Sequence, residues 1–134
     1  MRHAVTEALR VYEFLKVCQE ASPTSGKDLG KILLASHDSL RTDYDCSTAS
    51  LNRLVQLCLD CGGYGARITG AGWGGCIVSL VPSGKVNGYL ERLRNDYYRP
   101  LVEKGTVKQE DVDDAIVISE PECGACLWQD SRRR

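Results

Sequence analysis

The sequence predicts an α+β domain in which helices pack on one side of an antiparallel sheet. Residues 1–60 carry apolar side chains at helical spacing, whereas short β-branched runs surround a glycine-rich turn later in the chain. Helices followed by a β-β-α-β-β order are typical of this fold class. The 134 residues and 43% hydrophobic content suit one core, so residues 1–134 are expected to form a single domain.

Three helices are expected before the sheet. The first should end before the turn-rich stretch 22–26, and the second should cover about residues 27–41. Ser47 is a suitable N-cap for the third helix, which Gly62 and Gly63 terminate. The inward-facing positions expected on the first two helices are Val5, Ala8, Leu9, Tyr12, Leu15, Leu29, Leu33 and Leu40.

Two strands are expected on either side of the glycine-rich turn. The second strand, residues 76–81, is rich in apolar and β-branched side chains and ends at Pro82. Ser83 can then cap a fourth helix that continues to about Tyr97. Its expected apolar face consists of Val86, Leu90, Leu93 and Tyr97.

The last part of the chain should complete the sheet. Residues 99–112 are polar and mixed, which favours a variable excursion. Further strands are expected at residues 115–119 and 124–128, and the three arginines at 132–134 indicate a solvated tail.

Composition excludes several classes of partner. A net charge of -1 argues against a nucleic acid or membrane surface as a partner, since both usually leave a basic imprint. No apolar run approaches the length of a membrane span, and residues 1–20 lack the apolar core of a signal peptide. We therefore expect a cytoplasmic protein.

Seven cysteines, an odd number, favour a reducing compartment over a paired secreted framework. A zinc ribbon is the alternative, because Cys58-x-x-Cys61 and Cys123-x-x-Cys126 form two C-x-x-C pairs. The gap between the pairs is too long for the usual knuckle, and Cys58 lies in phase with the apolar stripe of its helix. We expect no metal site and interpret these thiols as small hydrophobic groups.

The strongest functional signal is a cluster of four glycines, Gly70, Gly72, Gly74 and Gly75. Glycine permits positive φ and close approach to the backbone, and successive N–H groups of such a loop can bind phosphate. The spacing also fits G-x-G-x-x-G, but the dinucleotide motif requires a helix where this chain has strand 76–81. A glycine-rich hairpin without a ligand remains the alternative interpretation.

Residues 70–75, Gly-Ala-Gly-Trp-Gly-Gly, with Arg67, Thr69 and Cys76 around them, resemble the third motif of the galactokinase branch of the GHMP small-molecule kinases. Ala71-Gly72-Trp73 is similar to the loop of the eukaryotic galactokinases and N-acetylgalactosamine kinases. Three other landmarks occur in the family's order and extend the match from Arg2 to about Trp128. These are Arg2-His3-Ala4-Val5 with Glu7, Ser36-His37-Asp38-Ser39-Leu40-Arg41 with Tyr44, and residues 115–121 with 124–126. The chain departs from the pattern at Glu120-Pro121, where the family usually has Lys-Pro.

This resemblance implies the ferredoxin-like C-terminal domain of a GHMP kinase. The family's Gly-Glu-His-x-Asp-Tyr sugar signature, its Pro-x-Gly-x-Gly-Leu-Ser-Ser-Ser phosphate loop and its catalytic Asp do not occur here. The chain is therefore expected to be roughly a third of a larger sugar 1-kinase that uses ATP and Mg²⁺ on galactose or N-acetylgalactosamine. Sugar and ATP would bind mainly through the N-terminal domain, and this part alone should contain no catalytic residue.

By the same resemblance, the loop Gly70, Ala71, Gly72, Trp73, Gly74, Gly75 would lie against the nucleotide and sugar. Trp73 is expected to pack across the domain interface, because a large aromatic contributes mainly buried area. The supporting residues are Arg67, which either faces phosphate or pairs with an acid, Thr69, Arg41 and His37. His37 is expected to be structural, since no acid or nucleophile is fixed beside it by sequence.

Two other interpretations stay open. A galactokinase-like sensor would bind sugar and nucleotide but act through a protein partner, using the same domain. A freestanding binding module would have no kinase half at all.

Overall fold

The computed structural model describes residues 2–120. Its elements in chain order are α1 (Arg2–Glu20), α2 (Ser25–Thr42), α3 (Ala49–Asp60), β1 (Gly65–Thr69), β2 (Cys76–Leu80), a 3-10 turn (Ser83–Lys85), α4 (Val86–Leu93), a π-helical turn (Arg94–Tyr98), α5 (Arg99–Glu103) and α6 (Gln109–Asp114). The α+β class is confirmed: helices pack on a small antiparallel sheet.

The described sheet consists of β1 and β2, joined by the glycine-rich loop. Arg67 lies opposite Val78 and Thr69 opposite Cys76, which fixes the register. Because side chains alternate along a strand, Ala66 and Ile68 point to one face and Arg67 and Thr69 to the other. The first pair is buried in the core, whereas Arg67 is half-buried and Thr69 is exposed.

The hydrophobic core lies between the sheet and the helices that follow α2. Leu51, Val55 and Cys58 recur at helical spacing along α3 and are all buried. They pack in two adjoining clusters with Ala66 and Ile68 of β1 and with residues of α4, namely Tyr89 and Leu93.

Close backbone contact places α2 on β1. A Cβ at Gly30 would lie 2.1 Å from the Tyr64 carbonyl oxygen, and one at Gly65 would lie 2.2 Å from the Gly30 carbonyl oxygen. Real Cβ atoms do not approach that closely, so glycine is required at both positions.

Helix α1 ends before residue 22, as predicted, but has an unexpected orientation. Val5, Leu9, Tyr12 and Leu15, expected to face the core, are more than half exposed. The side of α1 that meets α2 carries polar groups instead, among them Glu7 and Arg10. The periodicity identified the helix correctly but could not show which neighbour its apolar stripe meets.

Several local predictions need correction. Thr48, not Ser47, caps α3, since its hydroxyl accepts the Leu51 N–H at 3.3 Å. Ser83 lies inside a 3-10 turn and makes no capping bond to the described residues. Residues 115–119, expected to be a strand, pair with no strand among residues 2–120. The strand expected at 124–128 lies outside the described residues.

The fourth helix also continues further than predicted, to Glu103. Pro100 has no N–H, so the chain passes through a π-helical turn in which the Arg99 N–H donates to the Arg94 carbonyl. The excursion expected at 99–112 therefore contains α5 and the start of α6. None of the helices in residues 2–120 combines the length and the apolar character that crossing a bilayer requires.

Candidate functional site

The glycine-rich loop has a backbone that other residues rarely adopt. Gly70, Gly72, Gly74 and Gly75 have φ values of 82°, 84°, 148° and 78°, and Trp73 between them has φ 52°. Positive φ costs a residue with a Cβ roughly 1–2 kcal/mol, which explains the four glycines. Trp73 tolerates the same strain because neighbouring contacts hold it.

Cys46 provides those contacts. The Trp73 N–H donates to the Cys46 carbonyl oxygen at 2.6 Å. A Cβ on Gly72 would lie 2.6 Å from that same oxygen and 2.8 Å from the Cys46 Cβ, so only glycine permits the approach. Around Gly70, Gly74 and Gly75, by contrast, an added Cβ would meet nothing within 4 Å. The loop is therefore fixed at its centre and open along its other residues.

An aromatic row extends from the loop. The ring of Trp73 lies 6.3 Å from that of Tyr44, which lies 5.2 Å from that of His3. The Trp73 side chain is nevertheless 63% exposed. The row thus presents exposed aromatic surface beside a loop whose backbone can be approached closely.

Arg67, which leads into the loop, pairs with an acid. Its Nη1 donates to Ser36 Oγ at 2.7 Å and to Glu7 Oε1, and its Nε donates to the Ile68 carbonyl. Ser36 Oγ lies 2.7 and 2.8 Å from the two carboxylate oxygens of Glu7, and Arg10 Nη1 donates to Glu7 Oε2 at 2.9 Å. This Glu7 cluster (Glu7, Arg10, Ser36, Arg67) joins α1, α2 and β1 below the loop.

The cluster keeps Glu7 ionised. Partial burial raises the pKa of this carboxyl, but hydrogen bonds from Ser36 and Arg10 and the charge of Arg67 lower it further, so the net pKa lies below 4.5. Glu7 therefore stays negative at neutral pH.

His37 is buried, with 5% of its surface exposed. Its Nε2 lies 3.1 Å from Asn52 Oδ1, which also accepts the Ser47 hydroxyl at 2.7 Å. Since an amide oxygen only accepts, the proton of the neutral ring is on Nε2, and Nδ1 has no partner among residues 2–120. Burial is the main reason that the pKa of His37 lies below 6.5. Through Asn52, His37 therefore connects α2 to the start of α3.

One combination of His, Ser and Asp also occurs, at His3, Ser39 and Asp43. Ser39 Oγ lies 2.9 Å from His3 Nδ1 and 3.1 Å from Asp43 Oδ2, to which it donates. A hydrolytic triad has the imidazole between serine and carboxylate, with the serine proton donated to the ring. Here the serine lies in the middle and is buried, so the arrangement only fastens α1 to the end of α2.

The remaining candidates lie apart from the loop centre. Arg41 pairs with Asp38 of its own helix at 3.1 Å and makes no hydrogen bond to the loop within residues 2–120. Thr69 is exposed at the end of β1.

Burial raises the pKa of the Cys58 and Cys61 thiols, which makes them inert. No three His, Cys, Asp or Glu side chains in the described part of the chain are arranged to hold a metal ion.

Sequence reasoning missed three contacts, one made by the loop with Cys46 and two made by Arg67 with Ser36 and Glu7. Cys46 belongs to no sequence motif. It accepts the Trp73 N–H through its backbone carbonyl, which any residue would supply. Ser36 and Glu7 were noted only as parts of family landmarks, yet they decide the orientation of Arg67. Separations of 31 and 60 residues leave no local signal for these contacts.

Comparison with known proteins gives one consistent family. Residues 12–99 match the family described as the C-terminal part of GHMP kinases. A galactokinase of Dictyostelium discoideum is 33% identical over 142 residues, covering 94% of this chain and 28% of the relative. A galactokinase of Saccharomyces cerevisiae is 35% identical over 136 residues, covering 96% and 25%. The chain thus spans about a quarter of the length of these curated relatives.

A solved structure shows a related fold. The crystal structure of L. major mevalonate kinase in complex with R-mevalonate superposes with a TM-score of 0.56 and 26% sequence identity. The superposition covers 64% of this chain and 26% of that one. Both comparisons match this chain to one part of a longer kinase.

Proposed function

This chain belongs to the GHMP kinase family as its C-terminal domain, and from that premise we propose that it is part of an ATP-dependent sugar kinase. The proposed reaction transfers a phosphoryl group to the anomeric hydroxyl of galactose or N-acetylgalactosamine. The rest of the enzyme would bind the sugar, supply the catalytic Asp and hold most of the nucleotide.

The observation that carries the proposal is similarity to galactokinases along nearly the whole chain. It covers 94% and 96% of the residues for the two relatives above, so it includes the helices as well as the glycine-rich loop. A chance match to a glycine-rich hairpin would be confined to residues 65–80.

The loop is proposed to shape one side of the active site. Its centre is fixed on Cys46 while Gly70, Gly74 and Gly75 leave the backbone open to a ligand. Such an arrangement lets main-chain N–H groups approach phosphate or sugar hydroxyls without reorganisation. Trp73 and Tyr44 would pack against the rest of the enzyme, which would cover the exposed rings. Arg67 would act through the loop, since its Nη1 and Nε are engaged with Glu7, Ser36 and the Ile68 carbonyl.

ATP is the phosphoryl donor that membership of this family implies, and Mg²⁺ is proposed to accompany it. No group of three or more His, Cys, Asp and Glu side chains in residues 2–120 is arranged to hold a metal ion, and we propose that the nucleotide phosphates and the rest of the enzyme hold most of the Mg²⁺ shell. The contribution of this chain is positioning, which is a large part of catalysis in phosphoryl transfer.

A cytoplasmic setting belongs to the same proposal. All five cysteines within residues 2–120 are free thiols, as expected in a reducing compartment.

The sensor interpretation remains an alternative outcome of the test below, since it would use the same domain.

The first experiment is an immunoblot of native cell extract with an antibody against this chain. The chain spans 25% of the Saccharomyces relative, so we expect a band at about four times 14.8 kDa, not the threefold mass expected from sequence. A band at 14.8 kDa alone would mean a freestanding module and would overturn the kinase proposal.

The protein in that band is then purified and assayed with ATP and Mg²⁺ on galactose, N-acetylgalactosamine, glucose and mevalonate. Sugar 1-phosphate formed from either of the first two sugars, identified by ³¹P NMR, supports the proposal. Binding of sugar and nucleotide without turnover would favour the sensor. Turnover of mevalonate alone would reassign the enzyme within the family.

A further inference from the structure

A second concave site lies between α1, α2 and the Arg67 face of the sheet. It has a volume of about 330 Å³, within the usual range for small-molecule sites. Val11 and Phe14 of α1, Leu33 of α2 and Val78 of β2 form apolar walls. Its polar end is the Glu7 cluster, and Thr69 also lines the site. The site therefore combines one charged end with an apolar body.

The charge at the polar end does not cancel. Glu7 contributes one negative charge and is held ionised, whereas Arg10 and Arg67 each contribute one positive charge. Both guanidinium groups are shielded from water, with 17% of the Arg10 side chain and 29% of the Arg67 side chain exposed. An excess of one positive charge in partly desolvated surroundings favours a monoanion.

Hydrogen-bond donors are also left over. Arg10 uses only Nη1, towards Glu7 and Thr6, and Arg67 uses Nη1 and Nε, among the residues that the structure describes. Nη2 of each arginine is left without a protein acceptor in that part of the chain. Both arginines line the pocket and contact the same Glu7 carboxylate, so their guanidinium groups lie within the width of that carboxylate of each other.

We propose that this pocket binds a small aliphatic monocarboxylate, with its carboxylate between Arg10 and Arg67 and its hydrocarbon chain against Val11, Phe14, Leu33 and Val78. A carboxylate matches a guanidinium fork and carries the single charge that the site leaves uncompensated. A phosphate monoester would bring a second negative charge next to Glu7, which is unfavourable. The pocket includes Arg67 and Thr69, which precede the glycine-rich loop, but none of residues 70–75, and the proposed binding does not depend on kinase activity.

The test is a binding titration of the intact protein that contains this chain, by ligand-observed NMR, with hexanoate as the probe. Hexanamide has the same shape without the charge, and phenyl phosphate carries the alternative anion. We expect hexanoate to bind about tenfold more tightly than hexanamide, since a hydrogen bond to a charged group contributes more than a neutral one. Phenyl phosphate should bind more weakly than hexanoate.

Two variants locate the site. Arg10→Gln removes a charge at the polar end and should weaken hexanoate binding about tenfold. Val78 is a partly exposed residue of the apolar wall and lies opposite Arg67, so Val78→Phe should fill the pocket and abolish binding while every charge of the Glu7 cluster is kept. Arg99→Gln is the matched control, because Arg99 is an exposed arginine paired with Glu103 and lies outside the pocket. Circular dichroism confirms that each variant is folded.

Equal binding of hexanoate and hexanamide by the unmodified chain would overturn the proposal, and this result needs no variant. The proposal would also be overturned if folded Arg10→Gln and folded Val78→Phe both bound hexanoate as tightly as the unmodified protein. Tighter binding of phenyl phosphate than of hexanoate would reject the carboxylate and indicate a phosphate site.

Discussion

At the residue scale, Gly72 shows how one missing Cβ fixes a functional loop. Gly70 and Gly72 have nearly the same backbone, with φ values of 82° and 84°. Only Gly72 is in contact with other residues, namely Cys46, and Gly70 is open. An alanine at Gly70 would cost only backbone strain, whereas an alanine at Gly72 would add a collision with Cys46, so comparing the two substitutions distinguishes the two costs.

We expect Gly72→Ala to lower the free energy of unfolding by about 1–3 kcal/mol more than Gly70→Ala, because its Cβ collides with Cys46. Urea unfolding of both variants measures the difference. Equal losses would mean that positive φ alone explains the glycines and that the loop is not fixed on Cys46.

His37 makes stability depend on pH. Its pKa in the folded protein lies below 6.5, so between the two values the unfolded chain binds more protons than the folded one. The stabilisation from the neutral ring is fully present above pH 6.5 and is lost as the pH falls through 6.5 towards the folded value.

The measurement is the free energy of unfolding from about pH 7.5 to about pH 5. We expect a decline in the unmodified chain and a flatter profile in His37→Gln, which cannot take up the proton. An identical slope in both proteins would show that another group is responsible.

At the element scale, α1 is joined to the rest of the domain through polar contacts. The Glu7 cluster and the His3, Ser39 and Asp43 contacts hold the helix, and none of its residues is buried. Such bonds depend on geometry and ionisation. The helix should therefore separate when the cluster is broken.

We expect Glu7→Gln to lower the free energy of unfolding at neutral pH by about 1–3 kcal/mol, because two half-buried guanidinium groups lose their counter-charge. The pKa of Glu7 is lowered, so its stabilisation is present above pH 4.5 and is lost as the pH falls through the folded value. The difference in free energy of unfolding between the unmodified chain and Glu7→Gln should therefore become smaller at acid pH.

Glu20→Gln is the control for this prediction, since Glu20 pairs with Lys16 at 3.8 Å on an exposed surface. Exposed pairs contribute at most about 1 kcal/mol. Equal effects of the two substitutions, or a deficit of Glu7→Gln that does not change with pH, would show that the cluster is not a special attachment.

At the scale of the whole molecule, apolar surface remains uncovered. The outer stripe of α1 (Val5, Leu9, Tyr12, Leu15) is more than half exposed, and so are Tyr44 and Trp73. Patches of this kind usually mark surfaces that pack against another domain or partner. The proposal that a larger kinase covers them follows from the same observation.

We expect the isolated chain to self-associate or to be only marginally stable. Leu9→Lys combined with Tyr12→Lys should shift it towards monomer in sedimentation velocity, because both changes place charge on the outer stripe. Val117→Lys, at another exposed apolar position, is the control. A sharp, reversible melt of a monomer, independent of concentration, would count against this expectation.

The sequence by itself determined the α+β class, the end of α1, the approximate extent of α2, the two strands around the glycines and the family, because these features rest on local periodicity and on short motifs. It could not show that the apolar stripe of α1 faces outward or that residues 115–119 pair with no described strand. Those depend on which elements meet. The partners of Arg67 and Gly72 were likewise decided only by the tertiary structure, since Glu7, Ser36 and Cys46 are distant in the chain and reach them only when α1, α2 and β1 are packed together.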